Sequence, residues 1–193
     1  MRTKIKLNIP NVLTFIRFLL VPVAVVFVLR GELLSGFVVY AIACITDILD
    51  GVIARKFNMI TQAGMLLDPL ADKCMTMSMV ITFTILGVLP LFILIFVIIK
   101  ELLMIAGGIM LYKNNIVTSA NIFGKIAAML FNLSIALTFF YKIVGKSYLH
   151  IMYLAMALSL AALIQYFYFN MYKKYFKIKN EISDKETDEL KKI

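Results

Sequence analysis

Apolar runs, each about as long as a bilayer crossing, alternate with short polar breaks along most of the chain. A crossing helix needs roughly 20 such residues. The runs predict six helices: Asn11–Leu29, Leu33–Phe57, Gln62–Leu86, Leu89–Tyr112, Thr118–Ile143 and Ser147–Tyr172. Gly31, the Gly87-Val88-Leu89-Pro90 stretch, Asn114-Asn115 and Gly145 separate them. The runs are continuous and lack a period of two, which argues against a membrane β-barrel. The expected fold class is an all-α integral membrane protein with six transmembrane helices. Before the first of them, "MRTKIKLNIPN" alternates basic and apolar residues and predicts a short interfacial helix, with Pro10 marking the break. This start resembles a secretory leader, yet no small-residue cleavage site follows and more apolar runs come after it, so a retained first span is expected. Only "NMIT" (Asn58–Thr61) joins the second and third helices, so these two must be antiparallel neighbours.

Composition supports the membrane reading. The chain of 193 residues is 62% hydrophobic with a mean hydropathy of +0.93, whereas soluble domains are about 45–50% apolar. One domain over residues 1–176 is expected, followed by a mixed-charge tail, 177–193, that predicts a frayed helix or disorder. The net charge of +9 gathers at helix ends and in the tail, which favours anionic lipid headgroups as partners. Without Trp or interleaved aromatic and basic residues, nucleic acid is not an expected partner. Arg2, Lys4, Lys6, Arg55, Lys56, Lys113 and the seven lysines from Lys173 onward fall on one side of the membrane; Arg30, Lys142 and Lys146 fall on the other. The positive-inside rule then places both termini and the Arg55 turn in the cytoplasm. The "NIPN" start and the Lys/Ile/Asn-rich usage point to a bacterial plasma membrane. Cys44 and Cys74 lack metal-ligand spacing and read as buried free thiols.

The acidic residues change the picture. Of eleven, Asp47, Asp50, Asp68, Asp72 and Glu101 fall inside predicted helices. An ionisable group in a span is costly and marks function by default. Asp47 and Asp50 share one helix face, as do Asp68 and Asp72. Asp47 and Asp72 each lie about ten residues from the cytoplasmic turn, so both reach a depth of about 15 Å and the four carboxylates can meet. Four packed anions need protons or cations. All-oxygen ligation suits Mg²⁺ or Mn²⁺; two such ions balance four aspartates, and two-metal sites serve attack on phosphorus. Gly51 and Gly64 let a bulky ligand approach backbone, Ala54 keeps the face narrow, and Arg55 and Lys73 add cations, arginine matching phosphate bidentately. Arg17 reads as a buried partner for an acid.

The spacing Asp47-x2-Asp50-Gly51-x2-Ala54-Arg55-x8-Gly64-x3-Asp68-x3-Asp72 resembles, position for position, the signature of the CDP-alcohol phosphatidyltransferases. "NIPNVLTFIR" (Asn8–Arg17) and "LLDPLADK" (Leu66–Lys73) are similar to the branch of bacterial phosphatidylglycerophosphate synthases and related cardiolipin synthases. The likeness covers about the first 75 residues. It implies six membrane helices in a homodimer, with the site open to the cytoplasmic leaflet. It implies that Asp47, Asp50 and Asp68 hold the metals with help from Asp72, the expected general base. An acceptor hydroxyl would then attack the lipid-bearing phosphorus of CDP-diacylglycerol, and CMP would leave. Gly51, Ala54, Arg55 and Gly64 would cradle the CDP part, and Asn11 and Thr14 would contact the nucleotide.

Two further intramembrane cations, Lys100 and Lys125, are expected to bind an acceptor phosphate; Lys125 lies about 15 Å deep, level with the aspartates. The expected acceptor is glycerol-3-phosphate. Phosphatidylglycerol, giving cardiolipin, is the alternative, because Lys100-Glu101 stands where that branch has Arg-Glu, and Ile126-Ala127-Ala128-Met129 follows Gly124-Lys125 in place of its usual Lys-Thr and Gln. Lys100 and Glu101, adjacent on a helix, are not expected to face each other. A divalent-cation transporter is a further alternative, weakened by the lack of internal repeats and by the phosphate-handling set around the acids. A non-catalytic scaffold would have no use for a costly anion cluster.

Overall fold

The computed structural model describes residues 9–57, 62–113 and 122–168; for 9–11, 54, 55, 62–66, 69 and 110–113 the description covers the backbone alone. The expected interfacial helix before Ile9 and the tail 177–193 lie outside these residues. Every described element is helical: α1 (Ile9–Leu29), α2 (Leu33–Lys56), α3 (Gln62–Ile85), α4 (Leu91–Lys113), α5 (Ile122–Thr138), α6 (Tyr141–Val144) and α7 (Ser147–Tyr166). Four helices are long and apolar enough to cross a membrane, over Val12–Leu29, Leu33–Ile53, Leu91–Ile109 and Ser147–Tyr166. α3 has the length, at 24 residues, but carries Asp68, Asp72 and Lys73. α5 is shorter, at 17 residues. It stops at Thr138 and not near Ile143, because Phe139 and Phe140 leave the helix to pack on Phe37, with ring centroids 5.8 and 4.8 Å away.

The expected breakers act as breakers for a stated reason. Gly31, Gly87 and Gly145 all have positive φ, at 80°, 70° and 60°, a region that favours glycine. After α1, Gly31 N–H donates to Val28 O and Glu32 N–H to Phe27 O; after α3, Gly87 N–H donates to Thr84 O and Val88 N–H to Phe83 O. Both ends are Schellman caps, which satisfy carbonyls that a helix end otherwise leaves open. The turn after α3 has one more tie: Tyr148 Oη donates to Val88 O at 3.0 Å. Three threonine hydroxyls are satisfied within their own helices, with Thr82 bonded to Ser78 O, Thr84 to Val80 O and Thr138 to Ser134 O, the usual back-bonding of Thr within a helix.

The chain divides into two compact units. The first comprises Met1–Leu94 and Asn132–Leu149. In it α1 packs on both α2 and α3. Its core contains Ala24, Val28, Ala43, Ala71, Met79, Val80, Phe83, Ile93 and Ile135, with Tyr40 and Phe83 set against the Phe139 ring at 5.3 and 5.1 Å. Such tilted and edge-on aromatic pairs add about 0.5–1.5 kcal/mol each beyond area burial. The second unit comprises Ile95–Phe131 and His150–Ile193. Within it Gly107 lies against Tyr166, where a Cβ would stand 3.2 Å from the ring, whereas Gly108 faces open space. Cys44 and Cys74 are both free thiols, as expected, but of intermediate burial where buried thiols were expected; His150 is exposed.

Gly36 sets the approach of α2 to α1. A Cβ there would sit 2.8 Å from Val28 Cγ2 and 3.3 Å from the Phe139 ring, and a β-branched Val has little freedom to move aside. Gly36→Ala is therefore expected to destabilise the first unit by about 1–3 kcal/mol. Thermal unfolding in detergent checks this; an unchanged Tm would mean that α1 and α2 separate without cost.

Candidate active site

α1, α2 and α3 bring together the polar side chains of the first unit. Thr14 and Arg17 lie three apart on α1 and therefore share a face; both are buried, at 1% and 0% exposure. Across from them on α2 stand Asp47 and Asp50. Arg17 Nη1 lies 2.8 Å from Asp47 Oδ1, and Arg17 Nη2 pairs with Asp50 Oδ2. One guanidinium thus bridges two carboxylates through one oxygen of each. Asp50 is buried, whereas the side chain of Asp47 is 37% exposed. On α3, Asp68 accepts a hydrogen bond from Thr14 Oγ1 at 2.6 Å, and it lies close enough for its charge to act on both Asp47 and Asp50. The first three aspartates of the motif therefore gather around the Thr14–Arg17 face of α1.

Asp72 lies one turn further along α3. It is half-buried, and its charge reaches Tyr40 and Cys44 on α2. Tyr40 and Cys44 were not singled out in the sequence. Their spacing was the available signal, because positions 40, 44 and 47 fall on one helical face. Gly51 follows Asp50 on α2 with intermediate exposure. Asn11, Ala54, Arg55 and Gly64 are carried by the same three helices, but their side chains lie outside the described residues.

Thr14 differs from expectation in its contact: it was expected at the nucleotide, and its hydroxyl serves Asp68. Arg17 is the acid's partner it was expected to be, with two acids in place of one. Lys100 and Lys125 belong to the second unit. Lys100 Nζ lies 2.8 Å from Glu101 Oε1 and 5.8 Å from the Phe131 ring centroid. The expectation that neighbouring residues would not pair is thus corrected: both side chains are long and half-buried, and bending them together neutralises two charges where water is scarce. Lys125 is exposed.

The donor chemistry of the first unit suits a hard divalent cation, since Asp47, Asp50, Asp68 and Asp72 offer carboxylate oxygen alone. Arg17 alters the charge balance, since it offsets part of the negative charge of Asp47 and Asp50 that two divalent ions alone would have matched. Among the described residues no three His, Cys, Asp or Glu side chains stand close enough to enclose an ion. The nearest approach to such a set is the Arg17-bridged pair with Asp68 beside it. The residues fit a divalent cation by the chemistry of their donors.

Comparison with known proteins carries the site to a family. The model of the family described as CDP-alcohol phosphatidyltransferase matches residues 7–171. A protein of Aquifex aeolicus (strain VF5) named CDP-diacylglycerol–glycerol-3-phosphate 3-phosphatidyltransferase is 36% identical over 131 residues, covering 67% of this chain and 74% of its own. A Bacillus subtilis (strain 168) protein of the same name is 32% identical over 134 residues, 62% of this chain and 69% of its own. A probable phosphatidylglycerophosphate synthase of Mycobacterium tuberculosis (strain H37Rv) is 35% identical over 101 residues, 49% and 48% of the two chains. The match runs through the aspartate-bearing helices and on into α7, and the chain belongs to the CDP-alcohol phosphatidyltransferase family.

Proposed function

We propose that this protein transfers the phosphatidyl group of CDP-diacylglycerol to glycerol-3-phosphate, giving phosphatidylglycerophosphate and CMP. The observation that carries the reading is the aspartate motif on α2 and α3, gathered against α1 in a chain whose relatives bear the name of that reaction. Members of the family generally require divalent cations. Two Mg²⁺ or Mn²⁺ ions, held by Asp47, Asp50 and Asp68 with Asp72, would supply positive charge against the diphosphate and a Lewis acid at its oxygens.

The chain's own residues do the rest. Gly51, Ala54, Arg55 and Gly64 cradle the CDP moiety, with Asn11 at its nucleotide end; Arg55 binds phosphate through its fork of donors. Thr14 contributes by fixing Asp68. Asp72 takes the proton from the acceptor hydroxyl as that oxygen bonds to the lipid-bearing phosphorus. The bond from this phosphorus to the CMP oxygen breaks, and CMP leaves with the electron pair. Lys100 and Lys125 bind the acceptor's phosphate. α3 and α5 complete a six-span domain over residues 1–176, with both termini and the site at the cytoplasmic face of a bacterial plasma membrane. The protein works as a homodimer, and 177–193 form a charged tail.

Purified protein with Mg²⁺ or Mn²⁺ is expected to release CMP from CDP-diacylglycerol when glycerol-3-phosphate is present. An acceptor panel with product lipids identified tests this; label in cardiolipin from phosphatidylglycerol, and none in phosphatidylglycerophosphate, would replace the acceptor. Asp72→Asn is expected to lower kcat by about 10²–10⁴-fold with helical content retained; near-normal turnover would remove Asp72 as the base. Lys125→Ala is expected to raise KM for glycerol-3-phosphate by about tenfold, the loss of one charge-assisted contact. An unchanged KM would remove Lys125 from the acceptor site.

A further inference from the structure

Arg17 is fully buried, and the ion pairs it makes among the described residues are with Asp47 and Asp50. Neither its Nε nor its Nη1 makes a hydrogen bond among the described residues; Nη1 meets Asp47 as an ion pair, and Nη2 donates a hydrogen bond to Asp50. Two carboxylates three apart on one helix repel each other, more strongly where dielectric is low. A planar fork that binds one oxygen of each both screens that repulsion and fixes their separation. We infer that Arg17 is the resident counter-charge of the Asp47–Asp50 pair, a positioning residue that presets both carboxylates for a divalent cation and shares their charge with it. The inference rests on the proposed role of these aspartates as metal ligands.

A consequence separates this role from simple packing. When Arg17 is present, the pair is part-neutralised before any metal arrives, and the arriving ion meets a nearby positive charge. With Arg17 replaced by an uncharged residue of similar length, the carboxylates are uncompensated without metal, and the cation becomes their chief source of balance. Metal should then stabilise the variant more than it stabilises the native protein. A purely structural arginine would lower stability equally with and without metal.

The test is thermal unfolding of the full chain in detergent, with and without saturating Mn²⁺, for the native protein, Arg17→Met and Arg17→Lys. The Mn²⁺-induced rise in Tm is expected to be larger in Arg17→Met than in the native protein by about 5 °C or more, and Arg17→Lys, which keeps the charge, is expected to fall between them. Recovery of folded Arg17→Met only when Mn²⁺ is present throughout purification is the same result in its extreme form. Equal rises in the native protein and Arg17→Met would overturn the role given to Arg17 and leave the aspartates as metal ligands. So would an Arg17→Met protein that misfolds with and without Mn²⁺ alike. No response to Mn²⁺ in any of the three would overturn both readings.

Discussion

Charge placed away from water must be balanced locally, and the first unit is organised around that requirement. Arg17 and Asp50 are both buried, and Arg17 also reaches Asp47. Breaking a buried ion pair by removing one partner generally costs about 3–5 kcal/mol, because the other charge is stranded. Loss of Arg17 alone would therefore strand acids on α2. The Thr14–Asp68 bond adds α3 to the same knot. Asp47, Asp50 and Asp68 are thereby gathered on one face of α1.

Elsewhere in the unit, several polar groups of helix ends and turns are satisfied within the fold. Schellman caps close the ends of α1 and α3. Tyr148 covers the carbonyl of Val88, and Thr82, Thr84 and Thr138 bond back to their own helices. The cluster of Phe37, Tyr40, Phe83, Phe139 and Phe140 then packs the unit beyond the site. Each of these devices answers the same constraint, that an open backbone group in a membrane is costly.

Much of this was legible in the residues. The positive-φ glycines fell where apolar runs were interrupted, because a helix cap and a break in hydropathy share one cause. The helices carrying the aspartates were legible because the motif spacing fixes their periodicity; the "NMIT" connection lies outside the described residues. The end of α5 was not, since Phe139 and Phe140 are as apolar as the helix they leave, and only tertiary ring contacts decide between helix and turn. The bridge by Arg17 was half legible: a buried arginine demands an acid, but nothing local tells which, or that two would share it. The bond from Thr14 to Asp68 was not legible for the same reason, because a hydroxyl on α1 can serve a ligand or a carboxylate with equal chemistry. The Lys100–Glu101 pair shows that flexible side chains can override the rule that helix neighbours point apart.

The central claim is that Asp47, Asp50, Asp68 and Asp72 form one cation-binding group behind phosphatidyl transfer. Anomalous diffraction from crystals of the full chain grown with Mn²⁺ tests it most directly. Manganese peaks bounded by oxygens of these four residues, on α2 and α3, are the expected result. Manganese found only elsewhere, or four carboxylates compensated by protein groups alone in a crystal saturated with the ion, would contradict it.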